Sequence, residues 1–188
     1  MHKDTKATTI KVTQRDVLTV DETRKFLFAT QSFEETVFCR IGICGGLRIA
    51  EILELRPNDI IFSDLVIKVR LGKGGKSRWA QIDPPTVQVI HSYIFENGLQ
   101  GKDKLFQKSM RTYQRMVERI GLRAGIERVK VHPHMMRHTN ITMLLEKGMP
   151  LEKVQAHAGH AKISTTQIYT HLTYKVISKS YQDVIGAV

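Results

Sequence analysis

Leu65-Val66-Ile67-Lys68-Val69-Arg70-Leu71-Gly72-Lys73-Gly74-Gly75-Lys76-Ser77-Arg78-Trp79-Ala80-Gln81-Ile82 decides the fold class. Val66, Ile67, Val69 and Leu71 make Leu65 to Leu71 β-prone, as is Arg78 to Ile82, and the glycines at 72, 74 and 75 supply a turn between them. The stretch predicts an antiparallel hairpin with a basic tip. Asp59 to Phe62, just upstream, adds a third short strand. Before it, Pro57 must end a helix over Leu47 to Leu53, and Gly45-Gly46 breaks the chain sharply ahead of that helix, leaving Arg48 near its start. Val37, Phe38, Ile41 and Cys44 recur at helical spacing from Phe33 to about Gly45. Thr19-Val20-Asp21-Glu22 reads as a capping box that opens a helix running to about Thr30. Downstream of Pro84 the pattern is helical over 84–97, 109–124, 134–147, 151–157, 164–170 and 175–186, with Gly98, Gly125 and Gly148 at expected stops. The expected fold is therefore α+β and mainly helical, with a small three-stranded antiparallel sheet. Residues 1–17 form a polar arm or linker remnant, 18–174 the body, and 175–188 a C-terminal helix.

The chain has 188 residues, 41% of them hydrophobic, enough for one core of good size. Its formal net charge of +11 favours a polyanionic partner, and nucleic acid leads because Lys and Arg that neutralise phosphates release condensed counterions. Cys39 and Cys44 lie in an apolar stretch without CxxC spacing, as expected of buried thiols in a reducing compartment. The first residues lack the apolar run of a signal peptide, and no segment has the roughly 18 apolar residues of a membrane span. These features predict a soluble, cytoplasmic protein.

Four groups of residues carry chemistry. Gly46-Leu47-Arg48-Ile49-Ala50-Glu51 turns into a helix, and Gly72-Lys73-Gly74-Gly75-Lys76-Ser77-Arg78 forms the hairpin tip. His134-Met135-Met136-Arg137-His138 opens another helix, and Gly159-His160 is followed by Ser164-Thr165-Thr166-Gln167-Ile168-Tyr169-Thr170-His171. In this order and at these spacings they resemble the boxes of the tyrosine recombinase, or phage-type integrase, family in its Xer-like form. The resemblance covers about Leu18 to His171. Gly45 stands where the family often has Thr, and Ala158 where Leu is usual; both flank the matched positions without replacing them.

The resemblance implies the tyrosine recombinase catalytic-domain fold over 18–174. It also implies a DNA breaking and rejoining activity that passes through a covalent 3′-phosphotyrosine at Tyr169 and needs no cofactor or metal. The residue types suit that reaction. Planar guanidinium groups can stabilise charge developing on the non-bridging phosphate oxygens, which assigns Arg48 and Arg137. The leaving 5′-oxygen needs a proton, and Lys73 is the expected donor, with Lys76 its competitor. A phenol with an ordinary pKa near ~10 needs a proton acceptor, for which His134 is proposed, while His160 supports the phosphate by resemblance. Lys76, Arg78, Arg111 and Arg115 are expected contacts to duplex DNA. Arg119 and Arg123 continue the row on the same helix, and a solvated face is the alternative reading of that row.

Rival motifs fail on their own terms. Gly75-Lys76-Ser77 ends like a P-loop, but the first glycine of that motif would fall at Arg70. His134 and His138 have metalloprotease spacing, yet Met135 stands where the general-base glutamate belongs. Two related functions remain open: a DNA-binding regulator of the same fold without the reaction, and a type IB topoisomerase-like nicking and relaxing enzyme. The resemblance further implies a homo-oligomer on DNA, a tetrameric synapse, with a monomer as the alternative in the absence of DNA. Val176, Ile177, Tyr181, Val184 and Ile185 form an apolar helix face that packs on the chain's own domain or, as the resemblance implies, docks on a neighbouring protomer.

Overall fold

Helix starts follow the local chemistry. At Thr19 both halves of the capping box form: its Oγ1 accepts from the Glu22 N–H at 3.2 Å and the Glu22 carboxylate accepts from the Thr19 N–H at 2.8 Å. Ser32 and Ser109 cap their helices through hydroxyls that accept from Glu35 and Thr112 N–H groups. Pro84 and Pro133 occupy first helical positions, where a missing N–H costs nothing. The computed structural model describes residues 16–70 and 77–159. Its elements are α1 (Val20–Phe28), α2 (Phe33–Cys44), α3 (Ile49–Leu53), a 3₁₀ turn at Pro57–Asp59, β1 (Ile60–Ile61), β2 (Val66–Val69) and β3 (Arg78–Gln81). Four helices follow: α4 (Pro84–Glu96), α5 (Met110–Arg123), α6 (Pro133–Glu146) and α7 (Leu151–Ala158). The expected helices over 164–170 and 175–186, most of the N-terminal arm, and Lys73, Lys76, His160 and Tyr169 lie outside the described residues.

The sheet is antiparallel in the order β1-β2-β3, with Ile67 opposite Ala80 and Val69 opposite Arg78. Its strands are shorter than their propensities suggested. Leu65 takes a left-handed φ of 56°, so pairing in β2 begins only at Val66. Among the described residues one edge of β3 has no strand partner, and α7 packs beside it.

Helix α2 is the centre of the molecule and packs against α4 and α6. Its Val37, Phe38, Cys39 and Ile41 are wholly buried. Phe38 stacks on Tyr113 of α5 with ring centres 4.6 Å apart and meets Phe106 edge-on at 5.2 Å. The Tyr113 hydroxyl donates to Glu34 at 2.6 Å, tying α5 to the start of α2. Burial pushes the Cys39 and Cys44 thiols up from their ordinary range, and neither is in a disulfide. A second apolar cluster of Val17, Ile141, Leu145, Val154 and Ala158 seats α7 on α6. The segment before α1 joins it, for the Leu18 N–H donates to the Thr139 hydroxyl at 3.0 Å.

Candidate active site

Three segments distant in sequence meet at the C-terminal end of α2. Gly46 turns the chain there with a φ of 64°, and a Cβ on it would lie 2.4 Å from Asn140 Oδ1. Both the conformation and the close approach require glycine. Two residues later Arg48 caps α3, with Glu51 accepting from its backbone N–H at 2.7 Å and from its Nη1 at 3.0 Å. Its side chain remains 39% exposed.

Arg137, on α6, is 2% exposed. Its Nη1 donates to the carbonyl of Gly46 at 2.7 Å and its Nη2 to that of Ala158 at 2.6 Å. One guanidinium therefore braces the turn before Arg48 against the end of α7, two residues ahead of His160. A buried cation bonded to two carbonyls fixes the segments that carry its neighbours.

His134 stands in the first turn of α6 and is exposed, its ring meeting His138 edge-on at 4.4 Å. Partial burial of the ring and then the charges of Arg137, His132 and Arg48 hold its pKa below the ordinary imidazole value. It is neutral near pH 7, as a proton acceptor must be. Burial, with His134 and Arg137 nearby, lowers His138 to about 4. Arg48, His132 and His134 share a groove of about 580 Å³ with Met110, Gln114 and Glu118, the face of α5 that looks into it.

Arg78 is bonded within the protein. Expected to contact DNA, it is 7% exposed and engaged inside the protein: Nη1 and Nη2 donate to the two carboxylate oxygens of Glu51 at 2.8 and 2.9 Å, and Nε donates to the His157 carbonyl at 2.9 Å. Burial opposes the charge on Glu51, but the hydrogen bonds and charge of Arg78, reinforced by Arg48, keep its carboxyl below the usual range. Arg123 likewise leaves the supposed row, since its guanidinium bonds Gln31 and Glu35 of the α2 start. Arg111, Arg115 and Arg119 are exposed on α5 and form no ion pair among the described residues.

Sequence reading left Glu51, Asn140 and His157 without roles. Glu51 had a signal, its place three residues after Arg48 at a helix start. Asn140 and His157 had none. Their function is to meet each other: His157 Nε2 lies 3.1 Å from Asn140 Oδ1, while Asn140 Nδ2 donates to the carbonyls of Ile43 and Cys44.

A part-exposed arginine and a histidine thus share one groove, while a second arginine, buried on α6, ties together the segments on either side of it in the chain. The Phage integrase family model matches residues 16–175, and the chain belongs to that family. It is similar to a tyrosine recombinase of Pseudothermotoga lettingae, with 31% identity over 89% of this chain and 62% of that protein. It is also similar to tyrosine recombinase XerA of Saccharolobus solfataricus, with 33% identity over 91% of this chain and 58% of that one. The chain thus spans about three fifths of the length of these curated relatives. Among solved structures, a XerA recombinase superposes with a TM-score of 0.78 at 30% identity, covering 89% of this chain and 64% of that one. A XerH site-specific recombinase bound to its difH substrate in a pre-cleavage complex gives 0.74 at 28% identity, covering 87% and 52%. The mostly helical architecture with a small antiparallel sheet is the tyrosine recombinase catalytic-domain fold.

Proposed function

We propose that residues 18–174 are the catalytic domain of a site-specific recombinase that cleaves and rejoins duplex DNA. The observation that carries this reading is the double hydrogen bond of Arg137, which brings the turn before Arg48 and the segment leading to His160 to one place. The Tyr169 phenol attacks the scissile phosphorus, its proton passing to the neutral His134. The P–O5′ bond breaks as Lys73, or Lys76 in its stead, delivers a proton to the leaving 5′-oxygen. Arg48 and Arg137 stabilise the charge that grows on the non-bridging oxygens, and His160 supports the phosphate. Rejoining runs the same steps backward from a 5′-hydroxyl, so the phosphodiester energy is kept in the 3′-phosphotyrosine and no cofactor is consumed. Arg111 and Arg115 hold the duplex across the groove, and four protomers form the synapse, with residues 175–188 packing between them.

Incubating the protein with a nicked duplex tests this. A denaturant-stable adduct that Tyr169→Phe abolishes is expected. Binding without any adduct would overturn the reading in favour of a regulator, and relaxation of supercoiled plasmid without strand exchange would favour a topoisomerase.

A further inference from the structure

We propose that His157 is a positioning residue that clamps the return strand of the lysine hairpin, and that the reach of the general-acid lysine depends on it; the inference rests on the recombinase reading above. Gln81 sits at the end of β3, opposite Val66. Its neighbour Ile82 donates its N–H to the carbonyl of Leu65, just ahead of β2, at 2.9 Å, so the Gln81 N–H points the other way, off the edge of the sheet that faces α7. There it donates to His157 Nδ1 at 3.2 Å.

The hydrogens on the ring follow from its two neighbours. Asn140 directs its amide group at the carbonyls of Ile43 and Cys44, 2.8 and 2.9 Å away, and so turns Oδ1 toward the imidazole. Nε2, 3.1 Å from that oxygen, must carry the hydrogen, which leaves Nδ1 bare to accept from Gln81. Both ends demand the same neutral tautomer. An apolar side chain could fill the space, but it would strand a backbone N–H and an amide oxygen in the interior.

The main chain of the same residue completes the clamp, since the His157 carbonyl accepts Arg78 Nε at 2.9 Å. One residue of α7 thus holds β3 at both its first and last positions. Gly159 lets the strand come this close, for a Cβ on it would lie 2.5 Å from Arg78 Cδ. In the chain, residues 71–76 with Lys73 and Lys76 run directly into β3, and His160 follows directly on Gly159. His157 therefore fixes the spacing between β3, which follows the lysines in the chain, and the helix that leads to His160.

The test compares two nicked duplexes, one with the natural 5′-oxygen at the scissile phosphate and one with a bridging 5′-sulfur. A thiolate leaves without a proton, so the sulfur duplex does not need the general acid. His157→Asn keeps an acceptor at the Nδ1 position and is expected to form adduct within about threefold of wild type on both. His157→Gln moves the amide outward and loses the bond to Gln81. It is expected to slow roughly 100-fold on the oxygen duplex and to recover to within about threefold on the sulfur duplex. His157→Ala removes the same acceptor and should behave alike; it stands in if the Gln variant melts below the assay temperature. Equal losses on both duplexes, or no loss at all, would overturn the proposal. Lys73→Ala and Lys76→Ala separate it from the reading beneath it. If neither is rescued by sulfur, the general-acid assignment fails first. If one is rescued and the His157 variants are not, the clamp alone fails.

Discussion

Glu51 takes the guanidinium of Arg78 on both carboxylate oxygens, at 2.8 and 2.9 Å, and the same two oxygens hold the backbone N–H and Nη1 of Arg48. A buried carboxylate thus joins the groove arginine to the first residue of β3.

Removing that charge should be costly on two counts. Glu51→Gln leaves the Arg78 cation buried without its counter-ion, a change that costs about 3–5 kcal/mol. The expected fall in melting temperature is roughly 6–20 °C. Adduct formation should fall further than melting accounts for, because Arg48 loses its support as well. A calorimetric midpoint within about 2 °C of wild type would show that the pair contributes little.

Acid should destabilise the fold through its histidines. Burial first, and nearby cations second, hold His138 and His157 at about 4, against 6.5 for a free imidazole. Both are neutral in the fold while the unfolded chain takes up protons on them below pH 6.5. Their contribution is complete above about pH 6.5 and is lost as the pH falls toward 4. Urea unfolding at pH 7.5, 6 and 5 should show stability falling through that window. His157→Asn should flatten the slope by about one proton, and an unchanged slope would contradict the buried neutral state.

The exposed arginines of α5 should act on affinity alone. Arg111→Ala and Arg115→Ala are each expected to weaken duplex binding on every sequence and to reduce the salt slope by about one. A slope that does not move assigns these side chains to solvent. Arg123→Ala should leave the slope alone and lower the melting temperature, since its partners are Gln31 and Glu35.

Gly46→Ala probes the turn before Arg48. A left-handed φ and a 2.4 Å approach to Asn140 oppose any side chain, and the strain should cost about 1–3 kcal/mol. Because Arg137 and Asn140 hold this turn and the end of α2, cleavage should fall more steeply than thermal stability. Equal effects on the two would mark the glycine as a folding residue only.

Local signals were legible in the sequence wherever the partner is near in the chain. The Thr19 box, the serine caps, the helix-starting prolines and the paired strands around the glycine turn all depend on neighbours a few residues away. Long-range partners were not. Arg78 looked like a surface cation beside a basic turn, and nothing local reveals that Glu51, 27 residues earlier, folds against it. The same holds for Arg123, whose partner Glu35 lies 88 residues upstream. Asn140 read as an ordinary helix residue and His157 only as half of a His-x-x-His spacing too short of ligands for a metal, since the need for both arises where the Gln81 N–H of β3 meets α7.

The contrast between the buried network and the outer face of α5 has an evolutionary consequence. Arg48, Glu51, Arg78, His157 and Asn140 are linked one to the next by hydrogen bonds, so most changes at one burden its neighbours. On α5, Arg111, Arg115 and Arg119 point outward and form no ion pair among the described residues. Mutational drift and laboratory selection alike can therefore adjust the charge of that one helix while the network beneath is inherited intact.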